Sequence, residues 1–288
     1  MRIPEILARP EPCFSFEFFP PKTARGEADL HSTLDRLSPL EPDFVSVTYG
    51  AAGSTREGTI ETCERIVTET GIETMAHLSC VGETIQGIES ILGRLEGIGV
   101  ENVLVLRGDP PVGEPNFTPP EGGLRSSPEL AAYIRARGEH WGIGGSAFPE
   151  IHPEAATPEA DIDFLARKVD GGAEFLITQL FFENEIFFEW LERVRAAGII
   201  VPVIAGLMPI ISYERTKRLC EVCDAGFPSK LEADLQALDG DGDAEREFGV
   251  EFAIRQSREL LGGGASGLHF YTLNQAPATE AVLGELRR

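Results

Sequence analysis

Cys13-Phe-Ser-Phe-Glu-Phe-Phe-Pro-Pro21 is the stretch on which the fold turns. It is an aromatic-rich run of strand length that ends in two prolines, which cannot continue a sheet ladder. In a doubly wound dinucleotide-binding sheet the first strand leads into G-x-G-x-x-G, whose glycines bring a helix start against a diphosphate. This chain has Glu17-Phe18-Phe19-Pro20-Pro21 there instead. Working outward, the same order of β-rich run, polar or glycine-rich break and helical spacing recurs. Further β-rich runs cover Phe44–Tyr49, Glu73–Ser79, Asn102–Arg107, Gly142–Phe148, Phe175–Leu180, Pro202–Leu207 and Gly267–Leu273. Several are apolar nearly throughout, as strands covered on both faces must be. Amphipathic stretches at Ile60–Thr70, Ile85–Gly97, Ile162–Gly171 and Phe187–Ala197 lie between them. Alternating strands and helices imply parallel pairing through right-handed crossovers, and eight such units in 288 residues predict a single α/β domain, a (β/α)8 TIM barrel.

The seventh and eighth strands are separated by more chain than one helix needs. Tyr213–Ala225 reads as the regular helix, with Ser229–Leu238 and Ala244–Leu261 as additions, an extra segment of roughly 227–263. The acidic turn Asp239-Gly-Asp-Gly-Asp243 joins these two. It lacks the spacing and the closing Glu of a calcium loop, so it reads as a cap for the helix that follows.

Charge narrows the function. Asp and Glu number 47 against 25 Lys and Arg, a net charge of -22, which excludes binding to nucleic acid by counterion release. The lysines are Lys22, Lys168, Lys217 and Lys230 alone. An acidic, lysine-poor surface fits work in high salt, where screening relieves self-repulsion; a high-GC genome that favours arginine is the plainer alternative. No run of about 18 apolar residues is present to span a membrane. The N-terminus lacks a secretory apolar stretch and the cysteines number 5, so the expected compartment is the reducing cytoplasm.

Barrel chemistry sits at the carboxyl ends of the strands, and the polar residues fall there. Glu17 interrupts an apolar first strand. Thr48 and Tyr49 end the second, His77 and Ser79 the third, Arg107-Gly108-Asp109 the fourth; Glu150 and His152 follow the fifth, and Gln179 ends the sixth. Among Phe14, Phe16, Phe18 and Phe19, the Glu17 carboxyl should be desolvated and able to donate a proton near neutral pH; the alternative is a structural ion pair with a rim arginine. Arg107 suits a phosphate, Gly108 a close backbone approach, and Asp109 a hydrogen-bonding heterocycle. Cys220-Glu-Val-Cys223 lies within a helical stretch and reads as packing thiols, and Trp141 and Trp190 read as core. The 5 histidines show no metal-ligand spacing. Residues alone thus lead to an anion-friendly barrel enzyme with an acidic rim residue.

Seven motifs add to this. Phe14-Ser-Phe-Glu-Phe-Phe-Pro-Pro-Lys22, Phe44-Val-Ser-Val-Thr-Tyr-Gly50, Ala76-His-Leu-Ser-Cys80, Leu106-Arg-Gly-Asp-Pro110, Phe148-Pro-Glu-Ile-His-Pro-Glu154, Ile177-Thr-Gln-Leu-Phe-Phe182 and His269-Phe-Tyr-Thr-Leu-Asn274 occur in register. Together they resemble methylenetetrahydrofolate reductases over about residues 13–275. The resemblance is to the catalytic barrel, without the regulatory domain of longer members. It implies non-covalent FAD, NADH or NADPH as co-substrate, and ping-pong hydride transfer giving 5-methyltetrahydrofolate from 5,10-methylenetetrahydrofolate. It also implies a homo-oligomer whose partners are these small molecules, with no nucleic acid and no membrane. By the same resemblance Glu17 is the general acid and Asp109 a catalytic group between flavin and pterin. Thr48, His77, Arg107, Gly108, Asp109, His152, Asp161 and Lys168 are flavin-contacting positions, and Gln179 orients the folate.

Some positions depart from the family pattern. Phe148 stands near a frequent tyrosine, Leu219 where some members have phenylalanine, Gln275 where a basic residue is common, and Arg215 where a glutamine occurs. Arg215 and Gln275 are therefore the positions expected to meet the folate and its glutamate tail. The segment 117–128 matches poorly. A flavin-independent reductase, another one-carbon folate enzyme and a non-catalytic folate- or flavin-binding protein are the competing readings.

Overall fold

The structure is a computed structural model and describes residues 1–49, 56–108 and 118–288. Gly50, Asp109, Pro110 and Phe117 lie outside the described residues. Strands β1 (Cys13–Phe18), β2 (Phe44–Val47), β3 (Thr74–Ser79), β4 (Asn102–Leu106), β5 (Gly142–Ala147), β6 (Phe175–Thr178), β7 (Val203–Leu207) and β8 (Gly267–Tyr271) are all parallel. They pair in chain order, and β8 closes on β1. Helix α1 (Ile3–Leu7) precedes β1. Helices α2 (Ala24–Leu37), α3 (Arg56–Thr70), α4 (Ile85–Gly97), α5 (Ser127–Arg137), α6 (Pro158–Asp170) and α7 (Asn184–Ala196) follow β1 to β6 in turn. Three helices separate β7 from β8, namely α8 (Tyr213–Cys223), α9 (Ser229–Gln236) and α10 (Gly242–Gly262), and α11 (Pro277–Leu286) follows β8. The expected barrel with added helices is what the chain forms.

Helix starts are written locally. Thr23, Thr84, Ser126 and Thr157 each accept a hydrogen bond from the backbone N–H three residues on, which satisfies a donor the helix leaves orphaned. The D-G-D-G-D turn is a cap, as its composition suggested: Asp241 accepts from the N–H groups of Asp243 and Ala244 at the start of α10.

Period-two alternation sorts each strand. Phe14, Phe16, Phe18, Val45, Val47, Ala76, Leu78, Val103 and Val105 pack outward against the helices. Cys13, Phe44, Met75, Leu104, Phe175 and Ile204 point inward and fill the amino-terminal half of the barrel. Helix α1 plugs that end with Ile3 and Ile6, and is anchored by the buried Asn102. The Asn102 amide accepts from the Ile3 N–H at 2.8 Å and donates to the Met1 carbonyl at 3.1 Å and to Glu73 at 2.8 Å. Trp141 and Trp190 are core residues. All 5 cysteines are free thiols; burial pushes the Cys220 thiol up to about 12, which fits a packing role. Among the described residues no helix is long and apolar enough to cross a membrane.

Candidate active site

Three strands bring the acid to the mouth of the barrel. Glu17 is the last inward-facing residue of β1 and is only 6% exposed. Its Oε2 lies 3.4 Å from His77 Nε2 on β3 and 3.7 Å from His269 Nε2 on β8. Among the described residues its charged-group neighbours are these imidazoles, so the rim-arginine ion pair does not form. His269 is fixed from both sides, with Nδ1 2.7 Å from Ser15 Oγ and Nε2 3.1 Å from Ser46 Oγ, while its ring stacks on Phe44. Tyr271 donates to the Thr178 carbonyl at 2.6 Å. Its hydroxyl occupies the place a side chain at Gly206 would claim, since a Cβ there would lie 2.7 Å from it. Burial, with the charge of Glu17 in support, holds the Tyr271 phenol well above its ordinary range, so it remains a donor.

Burial also lowers the His77 imidazole to about 4, against the pull of Glu17. His77 is therefore neutral at pH 7, and its Nε2 has no hydrogen-bond partner among the described residues. An unpaired buried donor or acceptor costs about 1–3 kcal/mol. A ligand polar group that reaches this nitrogen recovers that cost.

A cavity of about 530 Å³ opens beyond the carboxyl ends of β4 and β5 and runs along the starts of α5 and α6. Arg107, Arg125, Arg167 and Lys168 line it, a local cation set on a chain of net charge -22. Lys168 is buried; its stem lies against Gly145, where a Cβ would come 2.7 Å from Lys168 Cδ, and its ammonium donates to the Ser146 carbonyl. Burial brings that ammonium down to about 8, with Asp161 opposing, so it is still a cation at pH 7. Arg107 forms a two-pronged pair with Glu154, one arm of it 2.8 Å long, and this hydrogen bonding holds the Glu154 carboxyl below its usual range. The His152 N–H donates to Asp161 at 3.0 Å, while its Nδ1 accepts from the Glu154 N–H at 3.1 Å, which leaves the neutral ring's proton on Nε2. Phe148 packs edge-on against that ring, 4.6 Å between centroids. Gly108 has φ +87°, and a Cβ on it would fall 2.0 Å from Ser79 Oγ, so only glycine lets the chain turn here. Ser126, Ser127 and Ala160 place two helix starts on the cavity, where backbone N–H groups favour an anion. Apolar Leu106, Ala147, Phe148, Phe164 and Leu165 complete walls suited to a planar group.

The sequence pattern of the methylenetetrahydrofolate reductase family matches residues 2–287. The chain belongs to that family. It is 35% identical over 268 residues to the 5,10-methylenetetrahydrofolate reductase of Salmonella typhimurium, covering 93% of this chain and 88% of that one. To methylenetetrahydrofolate reductase (NADH) 1 of Arabidopsis thaliana it is 36% identical over 295 residues, covering 99% of this chain and 50% of the relative. The chain spans about half the length of the plant and yeast relatives it matches. Among solved structures, a Clostridium thermocellum protein described as binding two copies of 5-methyl-5,6,7,8-tetrahydrofolic acid shares the fold, with a TM-score of 0.68, 16% identity and coverage of 100% and 99%.

In this member of the reductase family, Glu17 and His77 face each other, and Arg107, Gly108, His152, Asp161 and Lys168 line one cavity. Thr48 lies just past β2, its N–H donating to the Phe18 carbonyl at 3.0 Å and its own carbonyl accepting from Thr59 at 2.8 Å. Gln179 follows β6, with Oε1 accepting from the Leu180 N–H at 2.8 Å. Arg215 on α8 and Gln275 beyond β8 are exposed; neither lines the cavity nor pairs with Glu17. Asp109 falls outside the described residues. Sequence reading did not single out Arg125, Arg167, Ser126, Glu154 or the Ser15–His269–Ser46 arrangement. Two signals were there to be used: Arg125 immediately precedes a serine helix cap, and Arg167 adjoins Lys168 in the last turn of α6.

Proposed function

We propose that this chain reduces 5,10-methylenetetrahydrofolate to 5-methyltetrahydrofolate with NADH or NADPH, using non-covalently bound FAD. The observation that carries the reading is a buried carboxyl facing an unpaired neutral imidazole, in the same barrel mouth as a cation-lined cavity. The residues present fit the flavin dinucleotide. Arg107, Arg125, Arg167 and Lys168 and the starts of α5 and α6 would hold its diphosphate, Gly108 lets the chain approach its rings, and Phe148, His152 and Phe164 offer flat walls. When bound, FAD supplies the hydride relay between nicotinamide and folate.

The protein's own part is the proton. Glu17 gives its proton to a nitrogen of the methylene bridge, so that the bridge opens to an iminium that can accept hydride. His77, neutral at pH 7, does not bind that carboxyl as an ion pair, and its free nitrogen is available to the flavin. Ser15 and Ser46 keep the His269 ring from swinging across the acid. Gln179 and Asp109 are read as the pterin-orienting groups, and Arg215 and Gln275 as the exposed positions that meet the glutamate tail. We further read the 288 residues as one catalytic barrel, working in the cytoplasm as a homo-oligomer and suited by its acidity to high salt.

An anaerobic absorbance titration in high salt tests this. The FAD-loaded protein should lose its flavin band on addition of NADH and regain it with methylenetetrahydrofolate. NADH oxidation by the folate without any uptake of flavin would replace the reading with a flavin-independent reductase. No reaction in either form would overturn it in favour of a folate-binding role.

A further inference from the structure

The connection from β8 to α11 turns in a way that leucine does not favour, although asparagine tolerates it. Leu273 and Asn274 have φ values of +52° and +54°, left-handed for both, and neither is glycine. The turn begins where the β1–β8 ladder stops, at the Glu17–Tyr271 pair. Past that pair, side chains take over from the main chain. The Thr272 hydroxyl donates to the Glu17 carbonyl at 2.6 Å. Asn274 Oδ1 accepts from the Phe19 N–H at 2.9 Å, and Asn274 Nδ2 donates to the Phe19 carbonyl at 2.9 Å. One amide thus grips both main-chain groups of Phe19, as a neighbouring strand would.

The grip is itself braced. The Asn274 N–H donates to Thr272 Oγ1 at 3.2 Å, and Thr33 on α2 donates to the Asn274 carbonyl at 2.7 Å. On the other flank of β1, the Phe18 carbonyl accepts from the Thr48 N–H. Residues 17–19 are therefore tied on both sides just where Pro20 and Pro21 end any further ladder. Backbone strain of this kind persists where surrounding contacts over-determine it, and it clusters at functional sites.

We propose that Asn274 and Thr272 are positioning residues: they fix the backbone that carries Glu17, so that its carboxyl stays aimed into the barrel mouth. The left-handed turn is what delivers both side chains to β1. This inference rests on Glu17 acting as the proton donor under the proposed function. A displacement of an acid by about 1 Å costs on the order of 10²-fold in rate, which sets the expected scale.

The decisive variant is Asn274→Gly, which tolerates the left-handed φ but lacks the clamp. In the FAD-loaded enzyme its folate-dependent kcat should fall about 10- to 100-fold with folate KM within about twofold. NADH oxidation with a quinone acceptor in place of folate, which needs no proton from Glu17, should keep its wild-type rate. Asn274→Asp, which keeps the acceptor for the Phe19 N–H but not the donor, and Thr272→Val should show smaller losses in the same direction. Wild-type folate turnover in Asn274→Gly, or an equal loss with the quinone, overturns the inference. Glu17→Gln measured alongside separates the two readings. If it retains folate reduction, the proton-donor reading fails and the inference falls with it; if it loses folate reduction while Asn274→Gly retains it, the positioning inference alone fails.

Discussion

Cys13, Phe44 and Met75 face into the amino-terminal half of the barrel; two residues further along the same strands, Ser15, Ser46 and His77 face into the carboxyl-terminal half. Both layers are buried. The lower one is mainly apolar, sealed by Ile3 and Ile6 of α1, and the buried Asn102 within it finds its hydrogen-bond partners inside the chain. Above it, His269 is satisfied by two serines, yet His77 is left with an unpaired nitrogen beside Glu17. Equal burial thus serves two ends. The lower half satisfies its polar group within the chain, whereas the upper half leaves His77 Nε2 without a partner among the described residues.

Substitutions in the two halves should therefore separate activity from stability. The largest effect expected is for Glu17→Gln, a near-isosteric change in the upper half. Folate-dependent turnover should drop about 10³-fold, with a thermal midpoint no lower than wild type. A substantial drop in the midpoint would make Glu17 a structural member of the barrel and erase the contrast. Phe175→Ala, in the lower half, should show the reverse. It removes a fully buried ring packed against Gly144, so denaturant unfolding should report a loss of about 4 kcal/mol, while the remaining folded enzyme keeps its folate KM. A shifted KM would show that the two layers are mechanically coupled.

The smallest effect concerns pH. Because burial lowers the His77 imidazole from 6.5 to about 4, the unfolded chain binds a proton between these values that the native protein does not. This contribution to stability is whole above pH 6.5 and is lost as pH falls toward 4. His77→Leu should flatten that part of the stability profile by about 2 kcal/mol, measured by urea unfolding at pH 7 and pH 4.5. An unchanged slope would place the acid sensitivity elsewhere.

The sequence carried the fold further than it carried the site. The strands end within one or two residues of where their β-rich runs do, and the overshoot is informative. Phe19, Thr48, Arg107, Phe148 and Gln179 continue the β composition but leave the ladder to line the mouth or hold its edge. Helix α1 was not legible because five residues are too few to show a helical period. Glu17 stood out as a lone carboxylate among phenylalanines. His77 stood out beside it as a strand-end residue, but Ser15, Ser46 and His269 did not, because barrel closure brings together Ser15 and His269, 254 positions apart, and no local spacing encodes that. Glu154 was equally invisible, since in a chain with 72 charged residues, 25 basic and 47 acidic, nothing local marks it as lining a cavity; Arg125 carried only the weak signal of preceding the Ser126 cap.

The pairing of Arg107 with Glu154 would make anion binding at this rim, under the proposed function, a competition. An incoming phosphate meets a guanidinium whose charge Glu154 already offsets through two bonds, so the carboxylate competes with it. To the extent that the phosphate replaces Glu154, the electrostatic gain is the difference between two similar contacts. Added salt weakens the resident pair and the arriving one together. At Arg107, then, affinity should vary less with ionic strength than a count of nearby cations would suggest, on a chain of net charge -22.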